Sequence, residues 1–475
     1  LSLVEIDGET GATRVLISER SDIYFLPSNV LMDLPVPRLL SSGDFIWASE
    51  RSGYYHLYLH DGRTGKLKNA ITKGDWMVRE LIRVDEAAGR LYFTAVGREK
   101  GMDPYFRVLY RVNLDGTGLT RLTPEDADHE IRPVLPPTIP TADGPDPAVR
   151  AQRAGFSPSG AHFVDSYSRP DQPTVHVVRD ADGKLVMELE RASLAKEIAG
   201  SYIPPEPFRA LAADGKTEIH GLIYKPANFD PARRYPVVDS IYPGPQILRV
   251  PKRFMDDMFG AQALAELGFI VVTVDGRGTP LRSRDFRAVS YRNMGAAGNL
   301  EDHVAAIRDA ARTRPYMDLD RVGIYGTSGG GFATARAMFD YPDFFKVGVS
   351  SAGNHDQRTY ISLWGETYHG PWDADDYASA RSYLNVRNFR GKLLIAHGDM
   401  DDNVHPANTM RVVDELIRHD KDFDMLIMPN VNHGISGHPY FVKKLWNYFV
   451  THLQGATPPE GFAFGMPGGT PPEPG

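Results

Sequence analysis

The sequence predicts an all-β domain over residues 1–200, followed by an α/β domain over residues 201–455 with a doubly wound, mostly parallel sheet. Before residue 200, short aromatic-rich segments of alternating polarity are separated by turns that contain Asp-Gly pairs. After residue 200, apolar strand segments alternate with helix segments, an order typical of a parallel sheet with helices on both faces. Residues 456–475 are rich in Pro and Gly and are predicted to form a disordered tail.

A repeat of roughly fifty residues runs through the first domain. A strand pair, a turn and a threonine-bearing exit recur, with the exits at 71–73 and 122–124. This repeat predicts the blades of a β-propeller, and roughly three or four blades are fewer than a closed ring contains. We therefore expect a partial, N-terminally truncated propeller whose missing blades precede Leu1. Residues 134–152, rich in Pro, Ala and Asp, are predicted to be a surface insertion.

The second domain contains the alternation from which its sheet is predicted. The strand segments lie at 235–242, 269–275, 322–325, 346–351, 392–396 and 423–428. The helix segments lie at 299–314, 331–340, 406–419 and 439–454. Side chains that follow the carboxyl ends of such strands are the first candidates for a functional site.

A glycine-flanked serine, Ser328, stands between an apolar strand and a helix in the run Gly326-Thr327-Ser328-Gly329-Gly330. This context is typical of a nucleophile elbow, in which a strained turn holds the hydroxyl above the end of an α/β-hydrolase sheet. Side chains at Gly326 and Gly330 would collide where the strand and the helix approach each other. The motif therefore predicts an acyl-transfer enzyme with Ser328 as its nucleophile.

An acid and a base follow the serine in the order that this architecture requires. The strand at 392–396 leads into a loop with three candidate carboxylates, and the strand at 423–428 leads to His433, which is predicted to be the general base. The three carboxylates are Asp399, Asp401 and Asp402. The residues alone leave all three open, and we select Asp401. His397, at the start of the same loop, is interpreted as a structural histidine.

Four motifs together resemble the catalytic domain of the prolyl oligopeptidase family of serine peptidases. They are Gly326-x-Ser328-x-Gly330-Gly331, the run from His397-Gly398 to Asp401-Asp402-Asn403-Val404-His405, Asn432-His433-Gly434, and Val274-Asp275-Gly276-Arg277-Gly278-Thr279. The run 401–405 and the segment Ile241-Tyr242-Pro243-Gly244-Pro245 resemble the dipeptidyl-peptidase IV branch. The resemblance covers residues 200–455 strongly and the earlier chain weakly.

The resemblance implies roles for individual residues of the site. By similarity, Asp401 is the acid of the triad, Asn403 binds a substrate backbone carbonyl, and Tyr242 donates its hydroxyl to the oxyanion. The second oxyanion donor is predicted to be the backbone N–H of Gly329, the residue after the nucleophile. Tyr242 also ends an apolar strand at a Pro-Gly-Pro turn, and the alternative for it is an ordinary half-buried tyrosine.

The predicted substrate pocket departs from the pattern of that branch. The branch carries aromatic residues on both sides of the nucleophile, where this chain has Thr327 and Gly329, and Asn354 and Gln357 stand where apolar residues are expected. Tyr360 and Trp364 keep aromatic character at helical spacing, with core packing as their alternative role. The predicted substrate-binding residues are Asn403, Tyr360, Trp364, Asn354 and Glu366. A strict preference for proline is not expected.

Composition excludes several other classes of protein. The 475 residues contain no cysteine, which excludes disulfides, thiol catalysis and cysteine-ligated metals. The net charge of −8 is spread along the chain without basic runs, and no apolar run is long enough to span a bilayer, so neither nucleic acid nor a membrane span is predicted. Without a metalloprotease, P-loop or dinucleotide motif, no cofactor and no metal are predicted.

Three functions remain open. The favoured one is a dipeptidyl aminopeptidase that forms an acyl-enzyme with a peptide substrate. The second is an oligopeptidase, an acylaminoacyl-releasing enzyme or an esterase of the same fold, and the third is an inactive binding protein based on the propeller. In relatives a pair of glutamates holds the substrate amino terminus, from a part of the propeller that this chain is expected to lack. The resemblance also suggests a homodimer and favours a periplasmic or secreted location, with a cytoplasmic one left open.

Overall fold

The computed structural model describes residues 1–25, 37–131, 155–194, 202–254 and 260–461. The predicted insertion at 134–152 and residues 462–475 of the predicted tail lie outside the described residues. The chain divides into two compact units: residues Leu1–Lys196 with Lys252–Asp256 and Leu281–Arg287, and residues Glu197–Pro251 with Asp257–Pro280 and Ala288–Gly475.

The first unit is built from antiparallel strands, as predicted. A two-stranded sheet is followed by three four-stranded sheets with orders β3-β4-β5-β6, β10-β9-β8-β7 and β11-β12-β13-β14. The strands are β1 (Ser2–Ile6), β2 (Thr13–Ser18), β3 (Arg38–Leu39), β4 (Phe45–Ser49), β5 (His56–His60), β6 (Leu67–Ala70), β7 (Met77–Asp85), β8 (Arg90–Val96), β9 (Val108–Asn113), β10 (Thr120–Arg121), β11 (Asp128–Glu130), β12 (His162–Arg169), β13 (Gln172–Asp180) and β14 (Leu185–Arg191). Successive four-stranded meanders are the arrangement typical of propeller blades.

The threonines of the predicted repeat have the same role in two of these sheets. Thr72 Oγ1 accepts a hydrogen bond from the backbone N–H of Leu57 in β5 (2.9 Å), and Thr123 Oγ1 accepts one from Leu109 in β9 (3.0 Å). Both threonines are buried, and both partners lie on the third strand of their sheet. The recurrence in sequence therefore corresponds to a recurrent side-chain hydrogen bond that fixes the exit of these two meanders.

The second unit is a mixed eight-stranded sheet with helices, in the order β15-β16-β18-β17-β19-β20-β21-β22. The strands are β15 (Glu206–Leu211), β16 (Glu218–Tyr224), β17 (Tyr235–Ser240), β18 (Ile270–Asp275), β19 (Met317–Thr327), β20 (Phe345–Ser351), β21 (Lys392–Gly398) and β22 (Asp424–Met428). From β18 to β22 the neighbours are parallel, whereas β15, β16 and β18 pair antiparallel. The predicted parallel sheet is confirmed, and the antiparallel strands β15 and β16 are additional to the prediction.

Eight α-helices lie in the described part of the chain. They are α1 (Ala261–Ala265), α2 (Arg284–Ala288), α3 (Leu300–Arg312), α4 (Gly329–Asp340), α5 (Ser362–Tyr368), α6 (Ala374–Ser379), α7 (Ala407–Arg418) and α8 (Pro439–Phe449). The four long helices correspond to the four predicted helix segments. The last of these continues from α8 into a π-helical turn at Val450–Gln454, while the short helices α5 and α6 lie in the stretch predicted to form the pocket.

An apolar cluster fixes the turn that carries His433. Ile435, in the short turn after β22, is fully buried in a cluster that also contains Phe269 and Phe449. The rings of Phe269 and Phe449 meet edge to face with their centroids 6.2 Å apart. Pro439 at the first turn of α8 favours helix initiation at this point. The segment around His433 is therefore held between the sheet and α8.

Candidate active site

Ser328 has the strained backbone that a nucleophile elbow requires. Its φ is 60° and its ψ is −121°, and its N–H donates to the carbonyl of Ser351 on the neighbouring strand (2.9 Å). A Cβ at Gly326 would lie 2.5 Å from the carbonyl oxygen of Ile241, and one at Gly330 would lie 2.3 Å from the same atom. The close approach of β17, β19 and α4 thus explains both glycines, as expected from the sequence.

The structure brings Asp401 and His433 together. β19, β20, β21 and β22 are parallel neighbours, so their carboxyl ends meet at one edge of the sheet. Ser328 follows β19, Asp401 lies in the loop after β21, and His433 follows β22. His433 Nδ1 lies 2.8 Å from Asp401 Oδ2, and the His433 side chain remains 23% exposed.

The three candidate aspartates occupy different environments. Asp401 is buried, whereas Asp399 and Asp402 are exposed. Asp399 Oδ1 accepts the backbone N–H of Asn430 (2.7 Å), which makes it a structural turn residue. Of the three, Asp401 has the contact with His433 that our selection requires.

Both carboxylate oxygens of Asp401 have hydrogen-bonding partners. Oδ1 accepts the backbone N–H groups of Asn403 (3.0 Å) and Val404 (2.8 Å), and Oδ2 faces His433. Such N–H donors stabilise the ionised carboxylate and fix its plane. The orientation of the Asp401 carboxylate is therefore set by backbone N–H groups of its own loop, independently of His433.

A second imidazole also contacts Asp401. His397 Nε2 lies 3.0 Å from Asp401 Oδ2 and 2.8 Å from the carbonyl oxygen of Val404, and its Nδ1 lies 2.7 Å from Thr409 Oγ1. Burial lowers the pKa of His397, and the Val404 carbonyl and Asp401 offset part of this decrease. Because a carbonyl only accepts, the neutral ring carries its hydrogen on Nε2 and accepts from Thr409 at Nδ1. His397 thus donates toward Asp401.

Tyr242 lies directly over the residue after the nucleophile. A Cβ at Gly329 would be 3.5 Å from Cε1 and Cζ of the Tyr242 ring. Burial raises the pKa of Tyr242, and hydrogen bonds with the Ser328 side chain, the Gly329 backbone and the Gln246 side chain reduce this increase. The phenol therefore stays protonated at neutral pH and is available as a donor beside Ser328.

A pocket adjoins Ser328 and encloses about 380 Å³ of empty space, including space open to solvent. Its walls are Tyr242, Pro243, Gly244, Gln246, Met294, Ala297, Ser328, Gly329, Phe332, Asn354, Gln357, Tyr360 and Trp364. The rings of Tyr360 and Trp364 meet edge to face at 5.5 Å. Burial raises the pKa of Tyr360 to about 12.

The predicted pocket residues divide into three groups. Tyr360, Trp364 and Asn354 line the pocket. Asn403 contacts a residue of the pocket, because the Tyr360 hydroxyl donates a hydrogen bond to Asn403 Oδ1 (3.0 Å). Glu366 is exposed on α5 and is not one of the lining residues. Its position two residues after Trp364 places it on a different face of the helix.

Gln246 is a residue of the pocket that the sequence does not predict. Gln246 follows the Pro-Gly-Pro turn after Tyr242, and it lines the same pocket as Ser328. Its position in the loop that carries the predicted oxyanion donor, Tyr242, is the feature of the sequence that could have indicated its place in the site. Because this loop is irregular, no strand or helix periodicity indicates where its side chains lie.

The fold and the site together define an α/β hydrolase with an all-β N-terminal unit. Residues 255–456 match the model of the prolyl oligopeptidase family, and residues 1–174 match that of the dipeptidyl peptidase IV (DPP IV) N-terminal region. These two matches confirm the resemblance to the prolyl oligopeptidase family that the motifs indicate.

Curated proteins and a solved structure give the same result. Two proteins named "Probable dipeptidyl-aminopeptidase B" are each 30% identical to the chain. The one from Emericella nidulans aligns with 85% of this chain and 43% of its own length, and the one from Trichophyton verrucosum with 81% and 41%. The crystal structure of Porphyromonas gingivalis dipeptidyl peptidase 4 is 27% identical, with a TM-score of 0.79, over 95% of this chain and 60% of that one.

The chain spans less than half the length of the two curated relatives. None of the helices in the described ranges combines the length and apolar composition needed to cross a membrane.

Proposed function

We propose that the chain carries the catalytic centre of a serine dipeptidyl aminopeptidase, with Ser328, Asp401 and His433 as its triad. The observation that carries the proposal is the 2.8 Å contact between His433 and Asp401, at the sheet edge where Ser328 has its strained backbone. The names of the relatives support release of dipeptides from a free amino terminus. The substrate is a peptide, as the family implies.

The chemistry follows from the positions of these groups. Ser328 Oγ attacks the scissile carbonyl while His433 Nε2 takes its proton, and Asp401 stabilises the imidazolium through Nδ1–H. Tyr242 and the Gly329 N–H stabilise the oxyanion of the tetrahedral intermediate. His433 then protonates the leaving amine, and an acyl-enzyme remains on Ser328. Water, deprotonated by His433, hydrolyses the acyl-enzyme by the reverse sequence of proton transfers.

Asn403 is proposed to hold the substrate backbone. The Tyr360 hydroxyl already donates to Asn403 Oδ1, so the amide nitrogen is the group left to donate to a substrate carbonyl. Tyr360 and Trp364 provide an aromatic wall for the residue before the scissile bond. Glu366 is exposed, and this position does not support a direct contact between Glu366 and a substrate bound in this pocket.

A fluorophosphonate probe tests the nucleophile. We expect one equivalent of label on Ser328 in the 475-residue chain, and none on Ser328→Ala, because the elbow and the base activate this hydroxyl alone. Ser350→Ala is a matched control, since Ser350 is a buried strand serine that donates to the Gly331 carbonyl. Absence of label on a folded wild-type chain would favour the inactive binding protein.

Paired dipeptide amides test the substrate register. A dipeptidyl aminopeptidase cleaves the substrate with a free amino terminus and loses most of its kcat/KM when that amine is acetylated. Equal cleavage of both would identify an acylaminoacyl-releasing enzyme, an oligopeptidase or an esterase instead. The homodimer suggested by the resemblance is a separate prediction, to be measured by sedimentation equilibrium.

A further inference from the structure

Two residues that line the pocket beside Ser328 each have a side-chain amide oxygen that is buried without a hydrogen-bond partner among the described residues. The atoms are Asn354 Oδ1 and Gln246 Oε1, and neither has a partner among the residues that the structure describes. Asn354 is only 2% exposed. Buried acceptors that lack a donor are uncommon in folded proteins, because each loses its bonds to water without replacement.

The orientation of the Asn354 amide is fixed by its neighbour. Gln357 Nε2 donates to the backbone carbonyl of Asn354 (3.1 Å), which turns Gln357 Oε1 toward the Asn354 side chain. Asn354 Nδ2 donates to this oxygen (3.3 Å). A flipped Asn354 would set two carbonyl oxygens against each other, so Oδ1 is the atom left over.

Gln246 provides the second unpaired oxygen. It lines the same pocket as Asn354 and Ser328, and its Oε1 is buried without a hydrogen-bond partner among the described residues. A hydrocarbon side chain bound in this pocket would satisfy neither of the two carbonyl oxygens.

We infer that this pocket selects peptides whose residue before the scissile bond carries a compact hydroxyl donor, namely threonine or serine. The inference rests on the proposed function, because it identifies the pocket as the one that receives this residue. A hydroxyl would satisfy a buried oxygen that valine, alanine or proline leaves unpaired. Sites built to bind a substrate hydroxyl reject the isostere that lacks it.

The test compares isosteric substrates. Free-amine dipeptide amides with Thr or Val, and with Ser or Ala, before the scissile bond are assayed for kcat/KM on the wild-type chain. We expect Thr to be favoured over Val by about tenfold or more, with the same direction for Ser over Ala. Each pair differs mainly by the hydroxyl, so pocket volume does not determine the Thr-to-Val ratio.

Two variants of Asn354 test whether its side-chain oxygen causes the preference for Thr over Val. Asn354→Leu removes the acceptor while keeping a side chain that branches at Cγ, and it is expected to reverse the Thr-to-Val ratio, whereas Asn354→Asp keeps an acceptor oxygen and is expected to retain the ratio. Fluorophosphonate labelling of Ser328 reports on the folding of each variant independently of the substrate side chain. If Asn354→Leu does not fold, the wild-type ratios alone decide the question.

Failure of this inference is distinguishable from failure of the proposed function. A wild-type chain that labels and cleaves but prefers Val to Thr overturns the inference and leaves the peptidase intact. The same holds if Asn354→Leu keeps the Thr preference. A folded chain that neither labels nor cleaves any substrate overturns the proposed function, and the inference with it.

Discussion

The second unit contains two aspartate–histidine pairs of almost the same geometry in different surroundings. In the pair at the sheet edge, His433 Nδ1 lies 2.8 Å from Asp401 Oδ2, and in the pair inside the unit His303 Nδ1 lies 2.9 Å from Asp239 Oδ2. The His433 side chain is 23% exposed, and that of His303 is 2% exposed. A carboxylate that orients an imidazole is therefore not enough for catalysis. The ring must also remain accessible and follow a strand end near a nucleophile.

The interior pair has the electrostatics of a structural ion pair. Burial lowers the pKa of His303, but Asp239, with weaker contributions from Asp302 and Asp275, more than reverses this and leaves the pKa raised. A similar buried pair occurs in the all-β unit, where His129 Nδ1 lies 2.9 Å from Asp165 Oδ1. We expect these interior pairs to stabilise the fold, whereas the edge pair is the one proposed to transfer protons.

The largest effect that separates the two pairs is expected for His433→Gln. Loss of the general base lowers kcat/KM by at least about a thousandfold, because proton transfer from Ser328 no longer has an acceptor. The partly exposed position makes the change in unfolding free energy small. Steady-state assays with active-site titration and thermal unfolding measure the two quantities. A variant that retains a tenth of the activity would exclude His433 as the base.

The same substitution at the interior pair is expected to have the opposite effect. His303→Gln leaves the Asp239 carboxylate buried without a cation and decreases the unfolding free energy by about 3–5 kcal/mol. The kcat/KM per folded molecule stays within a few-fold of wild type, because α3 carries no group of the site. Urea unfolding and a titrated assay give both numbers. A stable but inactive His303→Gln would contradict the distinction between the pairs.

The pH dependence of stability is the control for this second prediction. The pKa of His303 in the folded chain is raised above its ordinary value of 6.5. Its stabilising contribution is therefore fully present below pH 6.5 and is lost as the pH rises through the higher folded pKa. The difference in unfolding free energy between wild type and His303→Gln should shrink across that window. A difference that is constant with pH would show that the pair is not ionised.

Tyr242→Phe is expected to lower the acylation rate by about ten- to a thousandfold. It removes one donor to the oxyanion, while the Gly329 N–H and the Asp401–His433 pair remain. Folding is expected to be unaffected, because the ring and its packing over Gly329 are retained. Pre-steady-state measurement of acylation isolates this step from deacylation. An unchanged rate would assign Tyr242 the alternative role of an ordinary half-buried tyrosine.

The features that could be predicted from the sequence are those that depend on local pattern. The glycines of the elbow are needed because the strand and the helix of such a turn approach each other closely. Asp401 and His433 could be predicted because each follows an apolar strand. The two antiparallel strands β15 and β16 were missed because they lie before the alternation of strands and helices begins. Glu366 was also predicted to bind substrate, but it lies two helical residues after Trp364, which is the wrong spacing for one face, and it does not line the pocket.

The unpaired amides were beyond prediction because their significance depends on orientation. The free oxygen of Asn354 follows from the contact that Gln357 makes with a backbone carbonyl, and that of Gln246 depends on how the irregular loop after Tyr242 folds. The sequence indicated polar residues in the pocket without indicating which atoms remain unpaired. Similarly, His397 was interpreted as a structural histidine, and its contact with Asp401 depends on how the loop after β21 folds back.

His397 provides the smallest and most specific prediction. Its Nε2–H is shared between the Val404 carbonyl and Asp401 Oδ2, so we expect it to act as a positioning residue that holds the Asp401 carboxylate toward His433. His397→Leu is expected to lower kcat/KM by about tenfold or less, because it removes one of the donors that orient this carboxylate. Steady-state assays and thermal unfolding measure the loss of activity and the loss of stability separately. His397→Gln, which restores an N–H donor, should recover part of the lost activity, whereas equal activity of the two variants would show that His397 has a packing role alone.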